Sequence, residues 1–178
     1  YFGGELVNIP NLLTIIRFML IPVFGYYLLE GEYKTAVILF LLSSLTDILD
    51  GYIARKFNMV TPWGKLADPL ADKLMQLTAT ILLIIQKKIP LTILFVIAAK
   101  ELLMGAGSIF LYKKKNYVVS SNWYGKMATV VFNCTIVLII LFNFNSPINE
   151  ILIWTAVLST MFAFVMYFKS FIKINKKT

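Results

Sequence analysis

Apolar residues fill six long stretches of the chain, at about residues 9–29, 34–55, 67–86, 89–112, 124–143 and 148–169, with short polar breaks between them. Each stretch is close to the roughly 20 residues that a helix needs to cross the hydrocarbon of a bilayer. The breaks are short, as between antiparallel neighbours in a helical bundle. The pattern predicts an all-α integral membrane protein built as a six-transmembrane helical bundle. It forms a single domain over residues 1–178, with an interfacial N-terminal segment over 1–10 and a basic C-terminal tail over 169–178. The first stretch contains Arg17 and leads into further spans, so it reads as a span and not as a cleavable leader. Neither an internal repeat nor a low-complexity tract is evident.

The polar positions inside these stretches carry more information than the apolar ones. Four of the nine acidic residues, Asp47, Asp50, Asp68 and Asp72, fall where spans are expected. An ionised carboxylate there costs roughly 2.5–3.5 kcal/mol on insertion scales, so it needs a partner. Asp47 and Asp50 are three apart, and Asp68 and Asp72 four apart, so each pair shares a helix face. Two such helices side by side would bring four carboxylates to one polar, metal-binding pocket, because like charges that close do not all stay ionised without cations between them. The chain has no histidine. All-oxygen ligands favour Mg²⁺ first and Mn²⁺ or Ca²⁺ next. Gly51, Ala54 and Gly64 leave room for a ligand against the helix backbones.

Composition agrees with the pattern: 59% of residues are hydrophobic, 15% are charged and the mean hydropathy is +0.78. The net charge of +8 sits largely beside the apolar stretches, which points to an anionic lipid surface as partner and not to nucleic acid. If both termini lie on one side, that side collects Arg55, Lys56, Lys65, Lys113, Lys114, Lys115, Lys126 and the lysines of the tail, against Lys34, Lys87 and Lys88 opposite. The richer side is expected to be cytoplasmic, in a cell membrane, with the aspartate cluster near that face. The single Cys134 excludes an intramolecular disulfide and reads as a small buried hydrophobe.

Other polar positions follow in chain order. Asn8 or Asn11 can cap the first helix, Pro10 suits its first turn, and Thr14 and Arg17 share a face. Arg17 reads either as a side chain snorkelling to the interface or as a phosphate contact. Lys100 and Glu101 interrupt the fourth stretch, as a structural ion pair or as part of a polar interior. Trp123 and Tyr124 read as an interfacial belt at the start of the fifth. Lys126 follows, as a positive-inside anchor or a phosphate ligand. Phe171, Ile172 and Ile174 among the closing lysines suit an interfacial segment.

The run from Asp47 to Asp72 reads D-x-x-D-G-x-x-A-R, eight residues, then G-x-x-x-D-x-x-x-D. It resembles the signature of the CDP-alcohol phosphotransferases, membrane enzymes that build phospholipid head groups. All eight fixed positions match, which chance would give on the order of once in 10¹⁰ starting positions at roughly one in twenty per residue. Residues 8–17, N-I-P-N-x-x-T-x-x-R, and Gly125-Lys126 with Thr129 resemble elements of the phosphatidylglycerophosphate synthases in that family. There Arg-Glu is expected where this chain has Lys100-Glu101, and lysine lacks the bidentate fork.

The resemblance implies transfer of a phosphatidyl group from CDP-diacylglycerol to glycerol 3-phosphate, with release of CMP. It implies two divalent ions, Mg²⁺ or Mn²⁺, held by Asp47, Asp50, Asp68 and Asp72, with Asp72 also the catalytic base. Asp50, Gly51, Ala54, Arg55, Gly64 and Thr14 would bind the CDP group. Arg17, Lys100, Lys126 and Thr129 would hold the acceptor and its phosphate, and the enzyme would be a homodimer. A cardiolipin synthase using phosphatidylglycerol is the alternative within the family, followed by inositol phosphate and serine acceptors. From another class, four intramembrane aspartates with Arg and Lys suit an ion or proton transporter. The clustering of the acids near one face, without paired broken helices, argues against that.

Overall fold

Asn8 starts the first helix by turning its side chain back on it, where it accepts from the Asn11 N–H at 3.0 Å. Pro10, next in line, has no N–H to leave unsatisfied in the first turn. In this computed structural model, helix α1 runs Ile9–Leu29, α2 Tyr33–Lys56, α3 Pro62–Ile85, α4 Thr92–Lys115, α5 Trp123–Phe142 and α6 Ser146–Lys176. The structure describes residues 8–57, 59, 61–115, 123–142, 144 and 146–176, and not the side chains of 55, 65, 105–115, 146 and 170–176. Among the described residues there is no strand.

α1 closes on a Schellman turn. Gly31, at φ +81°, donates to the Leu28 carbonyl at 3.4 Å, and Glu32 reaches back to Tyr27 at 3.0 Å. This left-handed position suits glycine, and it reverses the chain within three residues so that α2 packs along α1. The face that α1 buries carries Asn11, Thr14, Arg17, Phe24, Gly25 and Leu28, at helical spacing. Phe24 meets Phe40 of α2 with ring centroids 5.7 Å apart. Leu12, Ile15, Met19 and Tyr26 point outward, where a bilayer would solvate them.

α3 begins five residues earlier than the hydrophobic run predicts. Thr61 caps it by accepting from the Gly64 N–H at 3.0 Å, and Pro62 takes the first helical position. Its buried face begins with the small residues Ala67 and Ala71, which let a neighbouring backbone come close, and continues through Met75, Ala79 and Leu83.

The chain divides into two units, Tyr1–Leu83 and Ile84–Thr178. In the second, α5 and α4 both pack on α6. Ile136, Ile139 and Ile140 of α5 and Ile153, Ala156 and Val157 of α6 are buried there. α6 continues to Lys176, through most of the segment expected to be an interfacial tail. Cys134 is exposed and not buried as expected. Among the described residues, four helices are long and apolar enough to cross a membrane, over Ile9–Leu29, Tyr33–Ala54, Trp123–Phe142 and Pro147–Lys169. α3 and α4, which hold Asp68, Asp72, Lys100 and Glu101, are not among them.

Candidate active site

Where α1, α2 and α3 meet, three carboxylates close on two residues of α1. Arg17 is fully buried and does not snorkel. One terminal nitrogen, Nη1, donates to Asp47 Oδ1 at 2.9 Å and to the main-chain carbonyl of Asp68 at 3.5 Å; the other, Nη2, donates to Asp50 Oδ2. Its Nε, also buried, has no hydrogen-bond partner among the described residues. One turn back on the same face, the Thr14 hydroxyl bonds Asp68 Oδ1 and lies 3.1 Å from the Pro10 carbonyl. The Asp50 side chain is 2% exposed and that of Asp47 42%, so the cluster opens on the Asp47 side.

A second set of contacts fixes where α3 starts. Asn8 donates through its side-chain amide to the Met59 carbonyl at 3.1 Å, and the Thr61 hydroxyl donates to Asn11 Oδ1 at 3.0 Å. Gly64 fits into this clamp. A Cβ there would stand 3.0 Å from Asn11 Oδ1, 3.1 Å from Thr61 Oγ1 and 3.8 Å from Asp68 Oδ2. Asn11 and Thr61 were not singled out from the sequence for this role. The signal was present in Thr61-Pro62, a cap followed by proline three residues before a glycine.

Asp72 stands differently from the other three aspartates. It accepts from the Gln76 side-chain amide at 3.2 Å, one turn along the same helix. Gly51 and Ala54 are half-buried on α2, and the side chain of Arg55 lies outside the described residues. The remaining predicted residues belong to the second unit. There Lys100 pairs with its neighbour Glu101 at 2.6 Å, the structural alternative that its sequence allows. Lys126 is exposed, and the Thr129 hydroxyl bonds back to the Gly125 carbonyl at 3.2 Å. Gly125 lies under Tyr167, whose hydroxyl would be 2.5 Å from a Cβ. The rings of Tyr124 and Tyr167 meet edge to face at 5.1 Å.

The donor chemistry can be tested against a divalent cation. Asp47, Asp50 and Asp68 face one guanidinium, so two negative charges stay uncompensated within these contacts when all three are ionised. That excess, on oxygen donors alone, suits a hard divalent ion. As they stand, no three acidic, histidine or cysteine side chains among the described residues are grouped closely enough to hold one. Arg17 occupies two of the carboxylates instead. Buried ion pairs of this kind resist dismantling, since removing one partner typically costs about 3–5 kcal/mol.

Comparison with known proteins identifies the family. Residues 7–162 match the family model described as CDP-alcohol phosphatidyltransferase. A protein of Rickettsia typhi named CDP-diacylglycerol–glycerol-3-phosphate 3-phosphatidyltransferase is 37% identical over 172 residues, covering 92% of this chain and 96% of that protein. One of the same name from Bacillus subtilis is 33% identical over 181 residues, covering 90% and 93%. A Schizosaccharomyces pombe protein, named as a cardiolipin synthase (CMP-forming) and mitochondrial hydrolase fusion, is 38% identical over 110 residues. These are 61% of this chain and 18% of the fusion.

Proposed function

The chain belongs to the CDP-alcohol phosphatidyltransferase family, and we propose that it moves the phosphatidyl group of CDP-diacylglycerol to glycerol 3-phosphate, releasing CMP. One observation carries this reading. Three acids of the family signature, Asp47, Asp50 and Asp68, meet at the junction of α1, α2 and α3, in a chain nine-tenths of which is matched by relatives that bear the name of that reaction.

In the reaction the acceptor hydroxyl oxygen forms a bond to the phosphatidyl phosphorus, the bond from that phosphorus to CMP breaks, and the hydroxyl proton leaves. Asp47, Asp50 and Asp68, with Asp72 as the fourth ligand, would hold divalent Mg²⁺ or Mn²⁺. Such ions supply charge neutralisation at the pyrophosphate and at the leaving CMP. Asp72 suits the base. It is the last acid of the signature, the position to which the resemblance gives that role, and its carboxylate accepts from the Gln76 side-chain amide. Gly64, Gly51 and Ala54 keep side chains out of the space where the nucleotide would lie, and Arg55 supplies a cation at the end of α2. The Thr14 hydroxyl donates to Asp68 and holds that carboxylate in place. Lys100, Lys126 and Thr129 are carried as groups for the acceptor's phosphate on the strength of charge and resemblance.

The same reading makes all six helices membrane-crossing, α3 and α4 being tolerated because their charges face polar partners. It opens the site to the cytoplasm and pairs two copies of the chain. Phosphatidylglycerol as acceptor is the second reading, favoured by the match to the cardiolipin synthase fusion.

The test is CMP release from CDP-diacylglycerol by purified protein in liposomes with Mg²⁺ or Mn²⁺, against glycerol 3-phosphate, phosphatidylglycerol, inositol 1-phosphate and serine. Release driven by glycerol 3-phosphate and abolished by chelator is expected. Release with phosphatidylglycerol alone would move the chain to cardiolipin synthesis. Ion flux without any CMP release would move it to the transporters.

A further inference from the structure

Arg17 brings a full positive charge to the place where the signature acids meet. A guanidinium has five N–H donors in a rigid fork, and buried donors are nearly always satisfied. Here the side chain has no exposed surface, yet Nε is left over while both terminal nitrogens are spent on Asp47, Asp50 and the Asp68 carbonyl. A permanent strut would be expected to place every donor. A cation sharing its seat with another would not. The two carboxylates it holds lie on one face of α2, and α1 presents the guanidinium to both at once.

We propose that Arg17 is a resident counter-ion that stands in for the divalent cation in the ion-free protein and yields Asp47 and Asp50 when the cation arrives. In the ion-free state it keeps the carboxylates of α2 from repelling one another and fastens α2 to α1. Once displaced, the guanidinium stays beside the same pocket, free to face the phosphates of the nucleotide lipid. The exchange proceeds on the side of Asp47, the more open of the two carboxylates. This inference rests on the reading of Asp47, Asp50 and Asp68 as ligands of a divalent ion.

The experiment uses full-length protein in detergent without lipid substrate, with wild type, Arg17→Gln, Arg17→Lys and Asp47→Asn compared. Mn²⁺ affinity is read by calorimetry, and thermal unfolding is followed in chelator and in saturating Mn²⁺. Relieved of its competitor, Arg17→Gln should bind Mn²⁺ about tenfold more tightly than wild type, within the usual range for coupled sites. It should also unfold at lower temperature in chelator, with the gap closing in Mn²⁺. Mn²⁺ binding by Arg17→Gln at or below the wild-type affinity overturns the proposal and makes Arg17 a fixed strut. If Arg17→Gln does not fold, Arg17→Lys decides on the same criterion, since it keeps the charge and loses the fork. Wild type that binds no Mn²⁺, or binds it no better than Asp47→Asn, overturns the ligand reading itself and the proposal with it.

Discussion

At the scale of single residues, Asp72 and Gly125 separate chemistry from packing. Asp72 accepts from the neutral amide of Gln76 within its own helix, and Asp72→Asn should leave the Arg17 and Thr14 contacts standing. CMP release should fall by about 10²-fold or more, the usual loss of a general base. Mn²⁺ affinity should change only a few-fold; loss of folding or of all ion binding would make Asp72 structural instead. Gly125 makes the opposite case. A methyl group there would run into the Tyr167 hydroxyl, so Gly125→Ala should destabilise by about 1–3 kcal/mol, the usual cost of overpacking. Tyr167→Phe removes the oxygen in the way. Thermal unfolding of both single variants and the double should therefore show positive coupling, and strict additivity would mean that the two residues do not meet.

At the scale of elements, the first turns of α1 and α3 are one joint, made by Asn8, Asn11, Thr61 and Gly64. Gly64→Ala pushes a Cβ against two buried polar side chains that are already committed to each other. α3 must then shift at the turn just before Asp68. A misplacement of about 1 Å at a reacting centre can cost on the order of 10²-fold in rate, so turnover should drop by that much while the protein stays folded. Wild-type CMP release by Gly64→Ala would show that the joint does not set the position of Asp68. Much of this architecture was legible beforehand. Runs of apolar residues located α1, α2, α5 and the first two-thirds of α6, because bilayer thickness fixes their length. The start of α3 was missed because Thr61 and Pro62 begin it by capping, where hydrophobicity is silent. The partner of Arg17 was legible in principle only. Once Gly31 reverses the chain, Phe24 meets Phe40 and Arg17 meets Asp47, two pairs whose residue numbers add to the same total, as an antiparallel hairpin requires. Spacing along one helix brought Asp47 beside Asp50, but only the register between helices brought Arg17 to both.

At the scale of the whole molecule, the question is which way the site faces, and α2 alone can answer it. Glu32 precedes the helix and Lys56 ends it; both are exposed, and the helix between them is long and apolar enough to cross a membrane. Lys56 lies over the rings of Tyr52 and Phe57, at 5.4 and 5.8 Å from their centroids, as an amphipathic cation at an interface would. Its end of the helix is also the end nearer Asp47 and Asp50, and the sequence assigns it to the side expected to be richer in Lys and Arg. Since that excess marks the cytoplasmic side, Glu32 should face outward and Lys56 inward. With Cys134→Ser as background, Glu32→Cys and Lys56→Cys can be labelled in bacterial cells with a membrane-impermeant maleimide. Glu32→Cys should react in intact cells, and Lys56→Cys only after permeabilisation. The reverse pattern would place the aspartates on the outer face, away from the cytoplasmic pools of glycerol 3-phosphate and nucleotide that the proposed reaction draws on. Labelling of both positions in intact cells would mean that α2 does not span the bilayer, and that the buried charges of Arg17 and Asp50 are held in a site at its surface.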